Sequence, residues 1–104
     1  MTCLVVDDLP DIEYVDDMAL THADFFRVLP SAMGEHPYRV EGMTVYAEIH
    51  NGTVQIAVGD QQERRIALVR IPHATIRFHF RGVTQAEQAA FKAYFDLRFQ
   101  RGGG

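Results

Sequence analysis

From residue 43 onward apolar and polar residues alternate, with Met43, Val45, Ala47 and Ile49 on one parity and Thr44, Tyr46, Glu48 and His50 on the other. A period of two sends successive side chains to opposite faces, so Met43–Ile49 reads as a half-buried strand. Val54, Ile56 and Val58 repeat the pattern beyond Asn51-Gly52, a pair suited to a two-residue turn because both residue types tolerate positive φ. Such a loop pairs His50 with Thr53, Ile49 with Val54, Ala47 with Ile56 and Val45 with Val58, which gathers the apolar residues of both strands on one face. The polar stretch Asp60-Gln61-Gln62-Glu63 leads into Arg64–Ile71, aliphatic and β-branched but apolar on both parities. Pro72-His73 fits a tight turn. Thr75–Arg81 then alternates without a break, with Ile76, Phe78 and Phe80 inward and Thr75, Arg77, His79 and Arg81 outward. The pattern predicts a four-stranded antiparallel meander over residues 43–81, within the usual size of a sheet.

Thr84 and Glu87 have the spacing of a capping box, in which each side chain satisfies a free backbone N–H at a helix start. A helix is expected over residues 85–100. Phe91, Tyr94, Phe95 and Phe99 make its aromatic side, Ala86, Ala89, Ala90, Ala93 and Leu97 a small-residue side, and Gln85, Gln88, Lys92 and Asp96 a narrow polar strip. The aromatic side is expected to cover the inner sheet face. The alanine side lets a second helix approach closely, either the N-terminal helix of the same chain or its own copy across a dimer axis.

Nearer the start, Thr2–Val6 and Ile12–Val15 both have strand composition, and the first is preferred because no charge interrupts it. Thr21 and Asp24 make a second capping signal before Phe25, Phe26 and Leu29. Pro30 is expected to end or kink that helix, leaving residues 31–37 as a loop. The predicted fold is α+β, in the order β-α-β4-α. That order resembles the TATA-binding-protein-like arrangement, and its four-strand-and-helix part resembles Whirly-type single-strand-binding domains. The resemblance is one of element order; it implies a sheet face as the place to look for function.

The chain has 104 residues, 47% of them hydrophobic and 23% charged, which suits one globular domain. No apolar run reaches membrane-spanning length, and the first residues lack the charged and apolar regions of a secretory signal. One cysteine, Cys3, forms no internal disulfide, so a reducing cytoplasm is expected. The net charge of -4 hides a division: residues 1–26 carry seven acids and no Lys or Arg, whereas residues 27–104 carry seven acids and ten bases. Residues 7–17 therefore read as an acidic loop or arm, free to dock on a basic face, and residues 102–104 as a flexible glycine tail.

Chemistry-bearing motifs are few. Leu4-Val5-Val6-Asp7-Asp8-Leu9-Pro10 resembles the opening of a response-regulator receiver domain, in which such a carboxylate pair holds Mg²⁺, but the sole lysine, Lys92, lies inside a helix instead of at a later strand end. Asp7 to Asp17 lacks the spacing of a calcium loop. The five histidines, His22, His36, His50, His73 and His79, are scattered, so no metal site is expected. Ser31 has no nucleophile elbow around it, and Glu48 with His50 near a strand end reads as a solvated pair. Arg101-Gly102-Gly103-Gly104 resembles the ending of ubiquitin-like and sulfur-carrier proteins, yet it follows a helix and reads as a helix cap. Neither a catalytic residue nor a cofactor is assigned.

The outward residues of the expected sheet are what remain. Tyr46, Ile66 and Leu68 form an exposed centre beside Arg64, Arg70, Arg77, His79 and Arg81, a composition common at protein interfaces. Arginine outnumbers lysine nine to one, which favours planar pairing with carboxylates or phosphates. The sequence therefore predicts a non-catalytic interaction or regulatory module, dimeric or bound to another protein. Single-stranded nucleic acid on the same face is the alternative, disfavoured by the acidic balance and the shortage of outward aromatic residues.

Overall fold

The computed structural model describes residues 11–50 and 52–102. In chain order the elements are β1 (Ile12–Met18), α1 (His22–Met33), β2 (Tyr38–Glu41), β3 (Thr44–Ile49), β4 (Gly52–Val58), β5 (Gln62–Ile66), β6 (Val69–Arg81) and α2 (Gln85–Gly102). The architecture is α+β. Six antiparallel strands form one sheet in the order β1-β6-β4-β3-β2, with β5 paired to β6 beside this path.

Both helices close one face of the sheet. Val45, Ala47, Ile49, Val54, Ile56, Val58, Ile76, Phe78 and Phe80 are all buried, as period-two alternation requires of a sheet covered on one side. The α2 rings stand on those of β6: Phe95 meets Phe78 edge-on with centroids 5.2 Å apart, and Phe91 meets Phe80 at 5.8 Å. Phe25 of α1 packs on Phe99 at 5.3 Å and joins the two helices. Thr84 and Glu87 do form the capping box, the Thr84 N–H donating to Glu87 Oε1 at 2.9 Å and the Glu87 N–H to Thr84 Oγ1 at 3.1 Å. At α1, the Asp24 N–H donates to Thr21 Oγ1 at 3.0 Å.

The sheet differs from the expected meander in three places. First, the β3–β4 register is Ile49 with Gly52, Ala47 with Val54 and Val45 with Ile56, so Gly52 belongs to β4 and the turn comes before it. Pairing slips by two residues, which leaves every apolar residue on its predicted face. Gly52 serves the sheet as a site of close approach: a Cβ there would collide with the Arg81 carbonyl oxygen and lie 2.7 Å from the Gly82 carbonyl carbon. His50 supplies the positive φ, at 51°.

Second, the strand expected at 64–71 is divided. Its first part belongs to β5, the turn falls at Ala67-Leu68, and β6 runs straight through Pro72. Pro72 is tolerated because β6 has only β5 beside it there, so a missing N–H can face an open edge. With no turn at 72–73, β4 pairs directly with β6, and the Gly59 N–H still donates to the Thr75 carbonyl at 2.8 Å. Pairing resumes at Gln62 opposite His73, which sets Asp60 and Gln61 against Ala74 as a bulge. His22 at the start of α1 holds this bulge, its Nε2 lying 2.8 Å from the Gly59 carbonyl and its N–H donating to Gln61 Oε1 at 2.8 Å.

Third, the N-terminal strand is Ile12–Met18, paired with β6 from Phe80 to Ala74. Thr2–Val6 lies outside the described residues. From Ile12 the expected acidic arm is thus a sheet strand, and its carboxylates meet the body's bases: Asp17 Oδ1 lies 3.1 Å from His73 Nδ1, and Asp16 Oδ2 lies 3.4 Å from Lys92 Nζ. Lys92, expected on a polar strip, is buried against the rings of Phe78 at 4.4 Å and Tyr14 at 4.5 Å, with Asp96 at 2.9 Å completing its charge pairing. The long aliphatic stem makes this burial feasible, since only the ammonium needs partners. Changing Lys92→Met keeps the stem but leaves both carboxylates without their cation; urea unfolding should show a loss of about 1–2 kcal/mol, and an unchanged midpoint would mean the cation does not hold β1 to α2.

Smaller corrections follow from packing. Helix α1 continues one turn beyond Pro30 because Ala32 and Met33, both fully buried, hold that turn on the core. Met43 is exposed beside the Gly42 turn, and β2 supplies a strand where none was expected. The final helix extends to Gly102; Gly103 and Gly104 lie outside the described residues.

Candidate functional site

The face of the sheet opposite the helices carries no covering element among the described residues. Register places Glu13, Val15 and Asp17 of β1, Thr75, Arg77, His79 and Arg81 of β6, Thr53, Gln55 and Ala57 of β4, Thr44, Tyr46 and Glu48 of β3, and Arg39 and Glu41 of β2 on it. Tyr46, Arg77, His79 and Arg81 therefore share one surface, as the sequence predicts. Arg64 reaches this face at its margin, its Nη2 3.4 Å from Asp17 Oδ2, whereas Ile66, Leu68 and Arg70 lie farther out. All four belong to the β5–β6 hairpin, which projects beyond the sheet because β6 outruns β1 and β4 at that end.

The surface is more evenly charged than a rim of arginines. Asp11 Oδ2 lies 2.9 Å from His79 Nε2 and 3.6 Å from Arg81 Nε. Arg39 donates to Glu41 Oε2 at 2.6 Å while its guanidinium covers the Tyr46 ring at 4.6 Å. Arg77 has no ion pair among the described residues. A groove of about 470 Å³ crosses β2, β3, β4 and β6 between Tyr38, Arg39, Tyr46, Gln55, His79 and Arg81. Its floor is polar and its walls hold cations already paired with carboxylates. That arrangement suits surface-to-surface contact better than binding of a naked anion. Val15, more than half exposed between these charges, and Arg39 were missed at the sequence level, although the alternation Tyr38-Arg39-Val40-Glu41 carried a strand signal.

Catalytic and metal chemistry gain nothing here. Glu48 faces this surface, whereas the His50 ring lies at the β3–β4 turn, 5.8 Å from that of His36. His73 and His79 each face a carboxylate, and no cluster of three or more potential metal ligands occurs among the described residues. The antiparallel sheet is also not the alternating strand and helix order that the receiver resemblance implies; Cys3, Asp7 and Asp8 lie outside the described residues. No helix among the described residues is long and apolar enough to cross a membrane. No protein-family model matches the chain, and comparison with curated proteins and with solved structures gave no match either.

Proposed function

We propose that the chain is a small non-catalytic interaction module whose open sheet face binds another protein. One observation carries this reading: helices close one side of the sheet, while the other offers Ala57 and Val15, and Tyr46 beneath the Arg39 guanidinium, amid charges of both signs with no helix or strand over them among the described residues. A mixed field selects a partner by complementary charge at low desolvation cost. Nucleic acid is the weaker reading, because Asp11, Glu13, Asp17, Glu41 and Glu48 stand on or beside the face and Arg39 already covers Tyr46. The single cysteine supports a reducing, cytoplasmic setting.

Changing Arg77→Glu together with Arg81→Glu tests the face. Both side chains are exposed, so the circular dichroism spectrum should persist and stability should shift by about 0.5 kcal/mol or less per site. Binding to a protein partner should fall at least about tenfold. In a parallel salt titration, the intact chain should bind labelled single-stranded DNA weakly; tight, salt-steep binding would replace the protein reading with the nucleic-acid one.

A further inference from the structure

The β5–β6 hairpin touches the sheet face at its base, where Arg64 Nη2 lies 3.4 Å from Asp17 Oδ2, and its tip stands clear of that face. Residues 61–70 are all exposed, Leu68 at the turn is 99% exposed, and Ile66 and Val69 are 55% and 56% exposed. Leu68 lies six residues beyond Ala74, the last β6 residue that β1 covers, which places the tip about 20 Å out from the body. The molecule is accordingly long, 62 × 24 × 23 Å. A two-stranded hairpin with both faces in water is marginally stable. Here Arg65 also lies directly opposite Arg70, a like-charge pair that weakens a ladder unless carboxylates come between. Glu63 reaches Arg70 only at 3.9 Å, and Arg65 has no ion pair among the described residues. The tip thus asks for an apolar hollow edged with acids.

The same chain has one. A groove of about 440 Å³ opens where β1 ends against the last turns of α2, with Met18, Leu20 and Phe99 as apolar lining; Asp16 and Asp96 line it too and share the one buried Lys92, which leaves an acidic excess, while the Asp17 carboxylate is paired with His73 and Arg64. It lies beside the hairpin's base, since Met18 pairs with Ala74 and Asp17 with Thr75. Arg64 at the hairpin's base reaches Asp17, but the tip points away and cannot fill the groove within one molecule. By period-two register, Arg70 shares a side of β6 with Ala74 and Ile76, the side on which the helices and this groove lie. Two copies laid antiparallel, helix sides facing, bring each tip to the other's groove. The contact is isologous and closes on itself.

We propose that the chain forms a two-fold dimer by reciprocal docking of the β5–β6 tip, Leu68 with Arg65 and Arg70, into the acid-edged groove of a second copy. Pro72 faces the open edge of β6 and discourages strand addition, so side chains rather than backbone pairing carry the contact.

Sedimentation velocity on the full chain tests this. At roughly 50 μM, where a micromolar complex is largely formed, the wild-type chain should sediment as a dimer. Leu68→Asp, at a position already in water, should raise the dissociation constant about a hundredfold with no change in the circular dichroism spectrum. Arg65→Glu with Arg70→Glu, and separately Ala19→Lys with Gln100→Lys, two exposed groove positions off the sheet face, should each give monomers. Mixed together, these two variants should dimerise again, because the reversed tip then meets the reversed groove while the unaltered pair meets as before. A monomeric wild-type chain, a mixture that stays monomeric, or a dimer that survives all three changes through the exposed alanine side of α2 would overturn the proposal. None of these outcomes alters binding at the sheet face, which is read separately through Arg77 and Arg81.

Discussion

Replacing Gly52 with alanine is expected to destabilise the chain by about 3 kcal/mol, although the added group is one methyl. The methyl would meet backbone, the Arg81 carbonyl oxygen and the Gly82 carbonyl carbon, and neither can rotate aside. The end of β4 must then move away from β6, at the point where β3, β4 and β6 are tied together. Gly42→Ala is the control. Gly42 has φ +62° and nothing stands within 4 Å of the place its methyl would take, so it should lose only the left-handed preference, about 1–2 kcal/mol. Urea unfolding of the two variants decides the matter: if Gly52→Ala is no worse than Gly42→Ala, the close approach of β4 to Arg81–Gly82 is wrong.

Phe95→Ala should have the largest effect of all, about 3–5 kcal/mol. Phe95 is fully buried and its ring meets Phe25, Phe78, Phe91 and Phe99, so it links α1, α2 and the sheet at one point. A chain of this size has a total stability of about 5–15 kcal/mol, so truncating this residue removes roughly a third to a half at the centre of that range. Tyr94→Ala, one position away and 40% exposed, should lose far less. Thermal unfolding should separate the two by more than about 10 °C; equal losses would mean that α2 does not present its Phe91, Phe95 and Phe99 side to the sheet.

These two residues also show how far the sequence could be read. The aromatic spacing of α2, the Thr84–Glu87 box and the alternation of Thr75–Arg81 are local signals, and each matched its element because nothing distant competes with it. Gly52 was legible as a glycine needed near a turn, but the reason lies across the sheet at Arg81, and a contact between residues 29 positions apart leaves no trace in a two-residue motif. Pro72 reads as a turn locally. It is a strand residue because the neighbouring edge of β6 is open, which depends on where β1 ends. The candidate site divides along the same line: Tyr46, Arg77, His79 and Arg81 follow from alternation alone, whereas Ile66, Leu68 and Arg70 were displaced with the misplaced turn and Arg64 meets the face only through Asp17. The acidic start of the chain looked like an arm because charge dominates its composition. Its pairing with His73, His79, Arg81 and Lys92 becomes visible only once β1 is laid beside β6.

Whether the open sheet face binds a protein is tested most directly by quantified capture on the immobilised chain. Proteins retained from a lysate of the native host would be identified and measured for the wild-type chain, for Arg77→Glu with Arg81→Glu, and for Leu68→Asp. A specific partner should be retained by the wild-type and Leu68→Asp chains and lost from the sheet-face variant. Equal retention by all three, or loss only with Leu68→Asp, would contradict binding at that face.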